Sequence, residues 1–265
     1  MVTIPNVTLE HIKDIKGFTK VPTKTKYEVL RLKGDDLTLI LYTSGKFLMQ
    51  GNEDKAHEIA VKHFNHKPKK KVNLTGTIVG SDETLKGDTF GGLVVVAIKA
   101  DEKERESLKK LGVDDSKKLT DNKIIDLAQI IINNYTYIVK ELYPKDYNNE
   151  LEKMNTTKLL DKLHFDANIA IKTKDSIHIV DKYPGCNVGD KAIEKAESKF
   201  IEVAAASIVA RYIALLQMNA LSNMVGFKLP LGSTHVEPAL KKVKKLGLDF
   251  SELTKLNFKN VKKYL

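Results

Sequence analysis

The sequence predicts an α/β protein, a mixed central sheet with helices, preceded by a smaller α+β unit. Two observations carry this. Beyond residue 75, strand-like runs alternate with helical periods, and the nearly continuous apolar run Leu93 to Lys99 is of the kind buried on both faces of a sheet. Before residue 66, helical patterns flank three short strand-like runs, and His66-Lys67-Pro68-Lys69-Lys70-Lys71 then lacks any apolar period, as a linker does. The expected boundaries are residues 1–65 for the front unit, 66–74 for a basic linker and 75–265 for the larger unit. With 265 residues, 42% hydrophobic and 29% charged, the chain can bury a substantial core.

Taken in order, Thr8 to Ile15 has helical spacing behind a Thr8 cap and stops at Gly17. Tyr27 to Leu32, Leu37 to Tyr42 and Lys46 to Gln50 are strand-like and separated by turn residues, which predicts an antiparallel meander. Glu53 to Phe64 returns to helical spacing after an Asn52 cap. In the larger unit, Gly76 to Gly80 and Leu93 to Lys99 read as strands, and Thr120 opens a helix to about Asn134. Tyr135 to Leu142 is a strand, Tyr147 to Ile171 is helical with a break near Asn155, and Ser176 to Asp181 is a strand ending in an acid. Ile201 to Leu221 is a long alanine-rich helix whose small residues allow close packing on a sheet, and two short helices follow at about 236–246 and 250–256.

The formal charge of +10 favours a polyanionic partner, nucleic acid first, because neutralising phosphates releases condensed counterions. A lysine-heavy chain with only Arg31, Arg105 and Arg211 as arginines is also what genome composition alone produces. The distribution says more: residues 1–75 hold 14 Lys/Arg against 8 Asp/Glu, a balance of +6, which leaves +4 for the rest. A single cysteine, Cys186, excludes an internal disulfide. No basic-then-apolar leader pattern stands at the N-terminus and no apolar run of roughly 18–20 residues is evident, so the expectation is a cytoplasmic protein with no membrane contact, monomeric by default.

Cleaving a phosphodiester with two metal ions about 3.5–4 Å apart requires several carboxylates converging on one point, since hard cations prefer oxygen ligands. Asp82 and Glu83 close the apolar run Thr77-Ile78-Val79, Asp181 ends Ile177-His178-Ile179-Val180, and Glu197 precedes the long helix. Singly, each has an ordinary structural role as turn residue, cap or helix-start charge. As a set they make a site only if the fold brings separate strand ends and a helix start together. His164, on a helix between Leu163 and Phe165, reads as a packed side chain.

Gly80-Ser81-Asp82-Glu83 is followed by Gly87-Asp88 and Phe90-Gly91, then by Gly112-Val113-Asp114-Asp115-Ser116-Lys117-Lys118-Leu119-Thr120, by Ile179-Val180-Asp181, and by Glu197-Ser198-Lys199 before Val203-Ala204-Ala205-Ala206-Ser207-Ile208. In the order and combination of these motifs the chain resembles, over essentially its full length, the bacterial ribonuclease HIII family. Glu197 itself separates the chain from ribonuclease HII, which commonly has Asp there. The resemblance implies an RNase H-like catalytic domain behind a TATA-binding-protein-like substrate domain. It implies endonucleolytic hydrolysis of the RNA strand of an RNA/DNA hybrid to 5′-phosphate ends, with Mg²⁺ or Mn²⁺, two ions in the active complex, held by Asp82, Glu83, Asp181 and Glu197. Ribonuclease HII-like cleavage at embedded ribonucleotides and a catalytically impaired hybrid-binding protein are the alternatives.

For substrate, Ser116 and Lys117 before the helix at Thr120 combine a hydroxyl, an ammonium and helix amides that suit a phosphate. Simple capping is the other reading. Where the family usually has Val-Gly-Thr-Gly after the Asp-Glu pair, this chain has Thr84-Leu85-Lys86-Gly87. Leucine in place of glycine is expected to crowd the backbone's approach to nucleic acid or to exclude a positive φ, while Lys86, beside Gly87, matches an Arg of ribonuclease HII and is placed to grip a phosphate.

Overall fold

The computed structural model describes residues 2–66, 74–113 and 119–265, with only the backbone of Glu53 and Asp54. Its contacts divide the chain into two compact units, Met1–Lys71 and Val72–Leu265. The expected linker falls largely on residues outside the described ones.

The front unit is a five-stranded antiparallel sheet with one helix. Its strands are β1 (Val2–Ile4), β2 (Thr19–Lys20), β3 (Glu28–Lys33), β4 (Leu37–Tyr42) and β5 (Phe47–Gly51), in spatial order β1-β5-β4-β3-β2, and α1 (Glu53–Phe64) follows with Asn52 accepting from the Lys55 amide as its cap. The meander β3-β4-β5 is where the sequence predicts it, and the side strands β1 and β2 are additions of two or three residues. Thr8 to Ile15 is not a full helix but a single 3-10 turn, Glu10–Ile12, anchored by buried Ile12. Leu37, Leu39, Leu41, Phe47 and Met49 alternate inward to form the small core with Ala56 and Ala60 of α1. Glu28 and Arg31 pair through two hydrogen bonds of 2.8 Å, which hold the Glu28 carboxyl down at about 2.

The larger unit is a mixed sheet between helices. β6 (Ile78–Thr84) pairs antiparallel with β7 (Leu93–Ala100), and after α2 (Glu102–Lys110) and α3 (Asp121–Asn134), β8 (Thr136–Leu142) joins the far edge of β7. Then come α4 (Pro144–Leu151), α5 (Thr156–Ile171), β9 (Ile177–Asp181) and β10 (Lys191–Ile193), the last two running parallel to β6, so the order is β10-β9-β6-β7-β8. The long α6 (Ile201–Val225) leads to α7 (Glu237–Lys245), a 3-10 turn at Phe250–Glu252 and α8 (Lys259–Lys262).

Side chains of β7 sort by parity: Val94, Val96 and Ile98 pack with α6 and α3, whereas Leu93, Val95 and Ala97 pack with α5 and its neighbours. Apolar residues on both faces explain the unbroken run in the sequence. By length and composition α6 is apolar enough to cross a membrane, contrary to the reading of the sequence, but 67% of its apolar 18-residue window is buried. Its apolarity is therefore that of a core helix. Its alanines let it approach the sheet closely, and Gly80 completes the fit: a Cβ there would stand 2.4 Å from the Val203 nitrogen and 2.5 Å from the Glu202 carbonyl carbon.

Candidate active site

The strand β6 carries the site. It runs on through Thr84, so Asp82 and Glu83 lie inside the strand, opposite Val96 and Val95 of β7, rather than closing it. Strand alternation then separates them. Ile78 and Gly80 face α6, hence so does Asp82, while Val79, Ser81 and Glu83 face α5. Because β9 pairs with β6 in parallel, Ser81 opposite Val180, the next step along both strands sets Asp181 beside Asp82 on the α6 face.

Glu197 reaches the same face from a 3-10 turn, Ala196–Ser198, immediately before α6. Asp181 accepts a 2.6 Å hydrogen bond from the Ala196 amide, which ties the turn to the end of β9. Ser207, two turns into α6, hydrogen-bonds Asp82 and donates to Glu197 Oε2 at 3.4 Å, so one hydroxyl links acids from two elements. Both Asp82 and Glu197 are buried. Burial first, then the neighbouring charges of Glu83 and Asp181, push the Asp82 carboxyl well above the usual range.

Glu83 is stabilised differently. Burial pushes its carboxyl up, but the His164 ring 3.4 Å away and Lys86 Nζ at 2.7 Å outweigh that and hold it below the usual range. Behind it, Ser81 Oγ stands 2.8 Å from His164 Nδ1 and 2.8 Å from His178 Nε2. Desolvation, with His164 as neighbour, lowers His178 to about 4. His164 is fully buried, as its sequence setting predicts, and also faces the second acid.

Of the substrate candidates, Lys86 turns back onto Glu83 and lies 4.9 Å over the Tyr183 ring, and Gly87 is exposed with open space where a Cβ would stand. Ser116 and Lys117 lie outside the described residues. Leu85 corrects the expectation for this loop. It adopts the left-handed conformation with φ 63°, and its side chain turns into the core against Gly91 instead of standing over the strand end. Burial of roughly 2 kcal/mol of apolar surface offsets the 1–2 kcal/mol that a left-handed leucine costs.

Lys255 is a residue the sequence does not flag. Fully buried, its ammonium donates to the carbonyls of Asp88 (2.7 Å) and Gly91 (2.8 Å), fixing the loop that leaves β6, and burial pushes it down to about 7. Ser207 was legible in principle as the one hydroxyl among the small residues Val203 to Ala210.

Among the described residues no three His, Cys, Asp or Glu side chains are gathered in ion-holding geometry. The donor chemistry still fits a hard divalent cation: the ligands are carboxylate oxygens, and desolvated Asp82 stands between like charges that a cation would neutralise.

The comparisons agree with this architecture. A family model described as Ribonuclease HII matches residues 79–261. Ribonuclease HIII of Phytoplasma mali is 34% identical over 252 residues, covering 88% of this chain and 85% of that protein, and ribonuclease HIII of Streptococcus agalactiae is 34% identical over 270 residues, covering 92% and 90%. The chain belongs to the ribonuclease HIII family. Among solved structures, Bst-RNase HIII in complex with Mn²⁺ superposes with a TM-score of 0.67 at 26% identity, covering 99% of this chain and 97% of that one. An RNase HIII fold at near-full coverage therefore includes both units.

Proposed function

We propose that this chain hydrolyses the RNA strand of RNA/DNA hybrids endonucleolytically, leaving 5′-phosphate ends, with Asp82, Glu83, Asp181 and Glu197 holding Mg²⁺ or Mn²⁺. The observation that carries the reading is the register of β6 on β9, which places Asp82 beside Asp181 on the face that Glu197 enters. Family membership supplies the substrate class.

Bound divalent ions would supply a water of lowered pKa and charge neutralisation at the leaving oxygen. The chain's own residues do the rest. Ser207 orients Asp82 and Glu197, the Ala196 amide orients Asp181, and Lys86 and His164 hold Glu83. Lys86, on release from Glu83, is placed to meet a phosphate beside exposed Gly87. Ser116 and Lys117 remain part of the reading as phosphate contacts, and the protein is read as a cytoplasmic monomer.

The test is cleavage of a labelled RNA/DNA hybrid, a duplex DNA with one embedded ribonucleotide and a double-stranded RNA, each with Mg²⁺, Mn²⁺ or chelator. Metal-dependent cleavage of the hybrid, lost in Asp82→Asn, is expected. Preference for the embedded ribonucleotide would make the activity ribonuclease HII-like. Binding of hybrid without cleavage would make the chain an impaired relative, but the inward turn of Leu85 removes the motive for that reading.

A further inference from the structure

Three buried polar side chains on the α5 face of the sheet form a chain ending on Glu83. Ser81 comes from β6, His164 from α5 and His178 from β9, and all three are buried. Ser81 Oγ is 2.8 Å from His164 Nδ1 and from His178 Nε2, and His164 Nε2 is 3.4 Å from Glu83 Oε2. Neither His164 Nε2 nor His178 Nδ1 has a hydrogen-bond partner of good geometry.

With the Ser81 proton used within the chain, the hydroxyl donates to one ring nitrogen and accepts from the other, which leaves two directions. If Ser81 donated to His178, the second proton of that ring would sit on Nδ1, a buried N–H with no acceptor. His164 would also donate to Ser81 through Nδ1 and, as a neutral ring, present a bare lone pair to the Glu83 carboxylate. In the opposite direction every proton faces an acceptor, although the approach of His164 Nε2–H to Glu83 Oε2, at 3.4 Å, is a charge contact rather than a well-formed hydrogen bond. His178 Nε2–H donates to Ser81 Oγ, Ser81 donates to His164 Nδ1, and His164 Nε2–H points at Glu83. The atom left with nothing to face is the His178 Nδ1 lone pair, cheaper to bury than a donor.

We propose that Ser81 and His178 fix the tautomer of His164 so that its Nε2–H grips one oxygen of Glu83, making His164 a positioning residue that presents the other oxygen to a divalent cation. This rests on the assignment of Glu83 as a metal-holding acid. Outer hydrogen bonds of this kind orient carboxylate ligands, and losing one typically weakens metal binding about 10–100-fold. Lys86, one-third exposed, is free to exchange its hold on Glu83 for a phosphate, whereas the ring nitrogens of His164 face Ser81 and Glu83 inside the fold. The grip that persists while substrate is bound is thus the imidazole's.

Histidine nitrogen and carbon shifts from NMR of the full chain give the tautomers directly, and Nε2-protonated rings for both His164 and His178 are expected. Nδ1 protonation of either would overturn the inference. Calorimetric Mn²⁺ titration of His164→Met, His164→Gln and the unmodified protein tests the function of the chain without relying on turnover. His164→Met keeps volume but removes the donor, and its Mn²⁺ affinity should fall about tenfold or more; His164→Gln, whose amide nitrogen replaces Nε2, should recover most of it. With hybrid substrate, His164→Met should lower kcat and leave KM within about twofold. Equal Mn²⁺ affinity in all three proteins, or equal loss in both variants at unchanged melting temperature, would refute the positioning role. Absence of hybrid cleavage by the unmodified protein would refute the proposed function instead, and leaves the tautomer and Mn²⁺ results to decide the role of His164.

Discussion

The two faces of β6 solve the same problem, a buried carboxylate, in opposite ways. On the α5 side Glu83 has an ammonium and an imidazole beside it, and its carboxyl is held low. On the α6 side Asp82 has a serine hydroxyl, one amide and two like charges, and its carboxyl is driven high. On the first face the protein's own groups compensate the charge for as long as Lys86 stays on Glu83. The second is complete only with a cation from outside, which is what a metal-dependent site requires, and consecutive residues of one strand supply both because alternation sends them to opposite sides.

The most severe way to break this arrangement is Gly80→Ala. The added methyl group meets backbone atoms of Glu202 and Val203 at 2.4–2.5 Å, so α6 must move off β6 and carry Ser207 with it. A loss of about 3 kcal/mol or more in urea unfolding is expected, along with metal-dependent activity. A variant as stable as the parent would show that α6 is not seated on β6 at this point. Next comes the turn out of the strand. Leu85→Ala keeps the left-handed backbone and removes buried surface, for a loss of about 2–3 kcal/mol, whereas Leu85→Gly relieves the backbone and should be about 1 kcal/mol more stable than the alanine variant. The reverse order would sink the positive φ at Leu85.

The contrast between the acids is tested by Asp82→Asn in chelator. A carboxyl whose folded pKa is raised binds a proton more tightly in the fold than in the unfolded chain, so stability falls as pH rises from about 4 through the folded value, and at neutral pH the charge is destabilising. Asparagine keeps the acceptor for Ser207 and removes the charge. Without metal the variant should be more stable than the parent by about 1 kcal/mol and should lose the rise in melting temperature that Mg²⁺ or Mn²⁺ gives the parent. Destabilisation of the variant in chelator would mean that Asp82 is already compensated.

Most of the scaffold, but less of this asymmetry, was legible in the sequence. Regular elements with clear periods and caps, β7, α3 with Thr120, the break at Asn155 and α6, fall where their residues predict them. α2 does not announce itself because Leu108 is its only buried residue, although Asp101 and Glu104 form a capping box. The four acids were visible as acids at element ends, but their separation was not, since it follows from the pairing of Ser81, Asp82, Glu83 and Thr84 with β7 beyond the expected strand end at Gly80. A polar Gly-Ser-Asp-Glu segment has the composition of a turn, and only tertiary pairing makes it strand. Ser81 and His178 were hidden for the related reason that a polar residue in an apolar element declares a partner without saying where it is.

The smallest effect belongs to Lys86→Ala, and it bears on how the α5 face is compensated. Glu83, held low in the folded state, contributes stability that is present above the ordinary glutamate range near 4.5 and is lost as pH falls through the lower folded value. Removing Lys86 takes away one of the two cationic or donor partners and leaves His164. Because the Lys86 side chain is 34% exposed, solvent screens the pair, and the loss at neutral pH should stay within about 1 kcal/mol. The acid limb of the stability profile should move upward in pH, since Glu83 then protonates more readily. Tyr183, relieved of the ammonium 4.9 Å above its ring, keeps its own hydrogen bond to Asp161 and should not move. Should Lys86→Ala instead cost as much as the loss of a buried ion pair, about 3–5 kcal/mol, the lysine rather than the histidine would be the group that holds Glu83 in place.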